Sequence, residues 1–240
     1  MPMVQSTKTY NFPEGEILLI NKPPEWTSFD VVNKIRHMLR HYLKIKKIKV
    51  GHAGTLDPLA TGLLLICVGK ATKQISKFTG LDKEYTGTFY IGATTPSYDE
   101  ETPIDKEFDS SHIKEENIID TAKTFLGPIM QRPPAFSAIK VDGTRAYRLA
   151  RDKEEVIIPP REVTIHEFEI LKAGVPETEF RVLCSKGTYI RSLANDIGKA
   201  LKCGAYLKSL CRTRIGTHHI DDAMDMETIE SILRSIALKS

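Results

Sequence analysis

This chain predicts an α+β fold built around one bent, mixed sheet, and three observations predict it. Strand-like and helix-like segments alternate without the strict strand–helix–strand rhythm of a doubly wound protein. The 240 residues can bury a sizeable core, as one large domain or two small ones. Hydrophobic content of 41% and charged content of 27% place the chain among ordinary globular proteins, and no repeat or low-complexity tract interrupts it.

The elements follow in order. Residues 1–15 read as a loose lead-in. Glu16 to Asn21 is a short apolar strand stopped by Lys22-Pro23-Pro24. Thr27 or Ser28 can cap a helix in which Val31, Val32, Ile35, Met38, Leu39 and Tyr42 recur at helical spacing. A Gly/His/Asp/Pro-rich loop then leads into the apolar run Leu63 to Val68, followed by a short helix from Gly69. Lys83 to Gly92 alternates and is rich in Tyr, Thr and Phe, which suits a strand. Thr94 to Asp109 is acidic and contains proline, so it reads as a surface loop. Ile118, Ile119, Ala122, Phe125 and Leu126 mark a helix ended by Gly127-Pro128.

Residues 131–151 read as an excursion from the core. Gln131-Arg132-Pro133-Pro134 cannot be regular helix. Lys140 to Gly143 makes a strand end and turn, and Arg145 to Arg151 a short basic helix carrying Tyr147. Arginines interleaved with aromatics suit single-stranded nucleic acid, whose bases stack and whose phosphates pair. Strands over Arg161 to Leu171 and Glu179 to Ser185 come next. A helix follows with Ile190, Leu193, Ala194, Ile197 and Leu201 on one face, stopped near Gly204. Tyr206 to Ile215 is the last long strand. Asp225 caps a final helix with Ile229, Ile232, Leu233 and Ile236.

The net charge of +3 permits an anionic partner without demanding one. Its distribution says more. Residues 34–49 hold seven Lys or Arg and no acid, including Lys44, Lys46 and Lys47, whereas residues 99–120 hold nine Asp or Glu against two Lys. One strongly basic segment in a near-neutral chain suits a polyanion, and two solvated faces of opposite sign is the plainer alternative. Cys67, Cys184, Cys203 and Cys211 form no C-x-x-C pair and no zinc spacing, so reduced thiols are expected, with Cys67 buried in its apolar run. The N-terminus lacks a signal-peptide core, and the longest apolar run is too short to span a bilayer. A soluble, cytoplasmic protein is therefore expected.

Chemistry concentrates at Gly51-His52-Ala53-Gly54-Thr55-Leu56-Asp57-Pro58-Leu59-Ala60-Thr61-Gly62. Glycines at 51, 54 and 62 allow backbone angles or close approaches that a β-carbon forbids. A carboxylate on a tight loop before a buried strand can be a presented reactive group, or an Asx turn. Arg191 at a helix start is a poor local choice, because that end is already partly positive. It is better explained if the guanidinium meets an anion, and Asp57 is the candidate.

These residues carry a resemblance. The segment Gly51 to Gly62, Lys22-Pro23 with Thr27-Ser28, Pro133-Pro134 through Arg151, and Ser185 to Arg191 match, in order, motifs of the TruB-type tRNA pseudouridine synthases. The resemblance covers most of residues 16–216. It implies the pseudouridine synthase catalytic fold, a bent, mixed and mostly antiparallel sheet flanked by helices, filling residues 16–240 with residues 131–151 as an RNA-gripping insertion. It implies an isomerase that converts a uridine in the tRNA T loop (position 55 of tRNA) to pseudouridine, by flipping the base and exchanging a C1′–N1 bond for C1′–C5. No cofactor or metal is implied, the partner is tRNA, and a monomer is expected.

By position, Asp57 corresponds to the catalytic aspartate, Arg191 to its paired arginine, and Tyr85 to the tyrosine that stacks on the base. Tyr189 and Leu210 correspond to pocket walls, His52 to the residue filling space left by flipped nucleotides, and Lys22 to a supporting lysine. Lys44, Lys46, Lys47, Arg145, Arg148 and Arg212 are expected to contact RNA. Three departures stand out. Glu25 replaces a usual glycine, and Cys211-Arg212 a usual Arg-Arg pair. About 25 residues follow Gly216, too few for the PUA RNA-binding domain of many bacterial members. A noncatalytic tRNA-binding or tRNA-folding protein, or a synthase for another RNA, are the competing readings.

Overall fold

The structure, a computed structural model, describes residues 9–141, 143–152 and 156–239. Residues 1–8 of the expected lead-in and Asp142 of the expected turn lie outside them. In chain order the elements are β1 (Glu16–Lys22), α1 (Ser28–Leu43), β2 (Val50–His52), β3 (Thr61–Val68), a 3-10 turn (Gly69–Gln74) and α2 (Ile75–Thr79). Then come β4 (Lys83–Ile91), β5 (Ala93–Thr94), β6 (Lys106–Glu107), α3 (Glu115–Lys123), β7 (Gly127–Gln131), β8 (Lys140–Val141), β9 (Thr144–Arg145) and α4 (Ala146–Arg151). The chain continues with β10 (Arg161–Lys172), β11 (Glu177–Cys184), α5 (Ile190–Ala200), β12 (Ala205–Ile215), β13 (His218–His219), a 3-10 turn (Ile220–Asp222) and α6 (Met226–Ala237). These elements fall into two units, one reaching to Gly80 and resuming at Thr217, the other Leu81–Gly216.

In the first unit, β3 pairs antiparallel with both β1 and β2, in registers that set Leu19 opposite Leu65 and Gly51 opposite Cys67. Seven of its eight residues are buried, which is why its sequence reads as an unbroken apolar run rather than an alternating one. α1 lays Val31, Val32, Ile35, Met38 and Leu39 on Leu18, Ile20, Leu64, Ile66 and Val68, with Ile229 and Leu233 of α6 closing the same core. Thr27 caps α1 in a reciprocal box. Its hydroxyl accepts from the Asp30 amide at 3.1 Å, and the Asp30 carboxylate accepts from the Thr27 amide at 2.8 Å. Such caps are worth about 1 kcal/mol. The lead-in is tied down more than its sequence suggested, because Phe12 is buried in this core with Tyr10 stacked on it.

The second unit carries the antiparallel order β12-β4-β11-β10-β7. One face is apolar, with Phe89, Phe168 and Phe180 in ring contact. The other face is charged, and Arg181 bridges Glu84, Glu167 and Glu169 across three strands. α5 packs on β12 and α3 on β10. At Gly198 a β-carbon would stand 2.0 Å from the Ala205 amide nitrogen, so only glycine lets α5 approach this closely. β7 starts at Gly127-Pro128, which the sequence read as a helix stop. As the last strand in the order, it accommodates a proline that lacks an amide donor. The acidic stretch expected as a plain surface loop folds into the β5–β6 hairpin and buries Thr95, Ser97 and Asp99.

Cys67, Cys184 and Cys203 are buried free thiols, and burial pushes Cys67 up to about 11 and Cys184 up to about 12. Among the described residues, no helix is long and apolar enough to cross a membrane.

Candidate active site

Asp57 sits half-buried in the loop between β2 and β3 of the first unit, and neighbouring side chains hold the backbone on both sides of it. Before it, the Ser28 hydroxyl, buried at the first residue of α1, accepts from the Leu56 amide at 2.8 Å and donates to the Leu56 carbonyl at 3.1 Å. After it, the Lys22 ammonium donates to the Pro58 carbonyl at 3.1 Å, and also to the Pro23 and Trp26 carbonyls at 2.8 and 2.6 Å. Glu25 takes up a positive φ of 66° and donates its amide to the Pro58 carbonyl at 2.9 Å. A positive φ explains why glycine is the easier residue there, and the glutamate keeps the turn. Gly54 and Gly62 have φ of 106° and 102°, so the chain enters and leaves the loop through angles that disfavour a side chain.

His52 ends β2 opposite Ile66. Lys22 is fully buried, and its ammonium faces backbone carbonyls around the Asp57 loop rather than open surface. Lys44, Lys46 and Lys47 are exposed just beyond α1, where Lys44 adopts the left-handed conformation that ends the helix.

The second unit assembles the other candidates. Tyr85 is buried on β4, with Val182 and Arg212 as its cross-strand neighbours. Leu210 stands two residues from Arg212, opposite Gly87. Arg212 is 1% exposed, so it does not offer the surface phosphate contact expected of it; it is a cation inside the sheet. Beside it Lys83 is also buried. Desolvation first, then the Arg212 charge, lower its ammonium to about 8. Arg145 and Arg148 are exposed, at the start of α4 and on it.

Tyr189 is the N-cap of α5 and makes no side-chain cap. Its backbone is held instead by Gln131, whose Nε2 donates to the Tyr189 carbonyl at 3.1 Å and whose Oε1 accepts from the Tyr189 amide at 2.8 Å. The Arg161 guanidinium lies over the Tyr189 ring, 5.0 Å from its centroid, and donates to the Gly187 carbonyl.

Arg191 is 4% exposed. Its Nη1 donates to the Ser97 carbonyl at 3.2 Å, its Nη2 to the Phe136 carbonyl at 2.9 Å, and its Nε lies 3.5 Å from Asp99 Oδ2. Within this unit, therefore, an anion does meet the arginine at the helix start, and it is Asp99. The sequence reading passed over Asp99 because it lies in an acidic run that looked like solvated surface. The flanking Thr95 and Ser97, which bond its carbonyl at 2.7 and 3.1 Å, were the available signal. Gln131 was missed for a similar reason, since its buried carboxamide acts on a partner 58 residues away in sequence. Ser28 was legible as a cap or motif residue, but not its bonds to Leu56, 28 residues on.

Residues 40–190 match the family described as "TruB family pseudouridylate synthase (N terminal domain)", and residues 191–238 that described as "tRNA pseudouridylate synthase B C-terminal domain". A protein of Flavobacterium johnsoniae named "tRNA pseudouridine synthase B" is 58% identical over 222 residues, 92% of this chain and 97% of that one. One of Bacteroides fragilis with the same name is 54% identical over 90% of this chain and 92% of its own. Among solved structures, a Cbf5-Nop10-Gar1 complex matches with a TM-score of 0.69 at 28% identity, over 92% of this chain and 54% of that chain. An H/ACA RNP bound to a substrate RNA containing 2′-deoxyuridine matches with a TM-score of 0.67 at 27% identity, over 92% and 53%. This chain thus spans about half the length of the chains in those two structures. With the fold and both family matches in agreement, the chain belongs to the TruB family of pseudouridylate synthases.

Proposed function

We propose that this protein isomerises a uridine in the T loop of tRNA to pseudouridine, at position 55 of tRNA, acting as a monomer. The observation that carries the reading is the Asp57 loop, fastened by Ser28 on one side and Lys22 on the other. It lies in a chain 58% identical, over nearly its full length, to a protein named tRNA pseudouridine synthase B. A carboxylate on a backbone held in this way meets its substrate with little reorganisation, and that lowers the barrier to a reaction at a sugar or base carbon.

The reaction breaks the bond from ribose C1′ to base N1, turns the base, and forms C1′–C5. C5 loses a proton and N1 gains one, so the atoms balance and no external reactant is consumed. Asp57 supplies the anion the chemistry needs. Tyr85 supplies a face on which the base stacks, with Tyr189 and Leu210 as walls and Arg191 as the cation of the site. Flipping the nucleotide out of a folded loop costs a few kcal/mol. His52, at the entrance to the Asp57 loop, fills the space that the nucleotide leaves. The exposed Lys44, Lys46 and Lys47, with Arg145 and Arg148 of the insertion, attract the phosphate backbone.

The test is tritium release from tRNA transcript carrying uridine tritiated at C5, comparing wild type with Asp57→Asn. Turnover is expected in wild type. In the variant it is expected to vanish while tRNA binding persists. A variant as active as wild type removes Asp57 from the chemistry. A wild type that binds tRNA and releases no tritium leaves an RNA-binding protein.

A further inference from the structure

The root of the 131–151 insertion is fastened to the first turn of α5 at three places. Gln131, the last residue of β7 and 1% exposed, bonds both backbone groups of Tyr189. The Ser192 hydroxyl donates to the Arg132 carbonyl at 2.8 Å. Arg191 Nη2 donates to the Phe136 carbonyl at 2.9 Å.

We propose that Gln131 is a positioning residue for the isomerisation: its carboxamide fixes the backbone of Tyr189, and through it the aim of Arg191, and ties both to the seat of the insertion. This rests on the reading that the start of α5 belongs to the active site.

Three physical points support the assignment. First, α5 begins without a capping side chain of its own, because a tyrosine ring cannot fold back onto the first-turn amides. The direction of its first turn must therefore be set from outside. Second, Tyr189 is extended, at φ −98° and ψ 111°, so its amide and carbonyl present a donor and an acceptor as a strand does. A primary carboxamide offers the complementary pair. Glutamate lacks the donor when ionised, lysine lacks an acceptor, and asparagine is one methylene shorter. Third, Arg191 lies only two residues beyond the clamped residue, and its guanidinium reaches a carbonyl of the same insertion. A shift of Gln131 therefore moves the helix start and the insertion together. Displacement of a catalytic group by about 1 Å can cost about a hundredfold in rate.

The experiment uses the full chain and three readouts: single-turnover pseudouridine formation, RNA affinity, and hydrogen exchange of the peptide spanning residues 188–193. For Gln131→Ala the single-turnover rate is expected to fall by roughly 30-fold with affinity within about threefold of wild type. Exchange should quicken in the first turn of α5 and stay unchanged in α6. Gln131→Glu is nearly isosteric and guards against misfolding of the alanine variant. While ionised it cannot donate to the Tyr189 carbonyl; protonated, it can. A buried carboxyl facing a carbonyl titrates high, so the ratio of variant to wild-type rate should climb as pH falls from about 8 to about 6. A merely structural glutamine would give no such climb. A flat ratio, or rates within about threefold of wild type in both variants, overturns the proposal. Should wild type form no pseudouridine, the functional reading fails on its own, and unchanged exchange at 188–193 in the glutamate variant still overturns the clamp.

Discussion

Arg191 Nε lies 3.5 Å from Asp99 Oδ2, with both residues buried at 4% and 5% exposure, and the Ser97 and Phe136 carbonyls also accept from the guanidinium. Removing one charge from a buried pair leaves the other poorly compensated, at a cost of about 3–5 kcal/mol in comparable cases. Asp99→Asn keeps the shape and removes the charge. It is expected to lower the unfolding free energy by about 2–4 kcal/mol in urea titration. Turnover should fall as well, because the arginine loses an anion that helps to orient it. An unchanged urea midpoint would mean that the pair contributes nothing to the fold.

The Ser28 hydroxyl bonds both the amide and the carbonyl of Leu56. Ser28→Ala strands two buried backbone groups, a loss of about 1–3 kcal/mol. Leu56 precedes Asp57, so the variant should also lose turnover beyond its loss of stability. Assays well below the melting temperature should show a reduced kcat with RNA affinity retained. A kcat equal to wild type would free Asp57 from dependence on this serine.

Lys83 sets a pH window. In the unfolded chain a lysine holds its proton to about 10.5, whereas in the fold Lys83 releases it at about 8. Between these values the unfolded chain binds more protons, so stability rises with pH across that interval. Below about pH 8 the full cost of the buried cation is present. Lys83→Met should remove this dependence. The stability of wild type relative to the variant is expected to improve from about pH 8 to about pH 10, by up to roughly 3 kcal/mol. A difference that stays constant across the window would show that Lys83 keeps its proton in the fold.

Lys44, Lys46 and Lys47 stand exposed past the end of α1. Replacing all three with glutamine should weaken RNA binding and flatten its salt dependence, by about 0.7–0.9 in log–log slope for each lost phosphate contact. Melting temperature should change little, since none of the three is buried. An unaltered slope would move the RNA path away from this segment.

The fold was legible where pattern and period speak. The uninterrupted run of β3, the alternation of β4, and the helical spacing in α1, α5 and α6 each led to the element that forms. Thr27 and Asp225 were readable as caps, because a cap depends on neighbours within three residues. The edge strand β7 was not readable, since Gly-Pro signals a break and its strand character comes from pairing with β10. At the candidate site, the Asp57 loop stood out for its local chemistry, and the need of Arg191 for an anion followed from the helix dipole. The identity of the anion inside the second unit did not follow. Asp99 lies 92 residues away in sequence and looked like one more surface acid. Arg212 failed in the opposite sense, because strand alternation cannot say that an arginine will end 1% exposed.

Lys22 donates to three carbonyls, two of them belonging to prolines, and no part of it reaches solvent. An amine so enclosed is shut off from acylating reagents for as long as the Asp57 loop keeps its place. Were the loop to lift, the Pro58 carbonyl would leave with it and the enclosure of the amine would be broken on that side. Acetylation at this one lysine, followed by mass spectrometry while the many exposed lysines react at once, would therefore act as a clock for the loop. Lys22 is thus a built-in reporter on whether the Asp57 loop is in place.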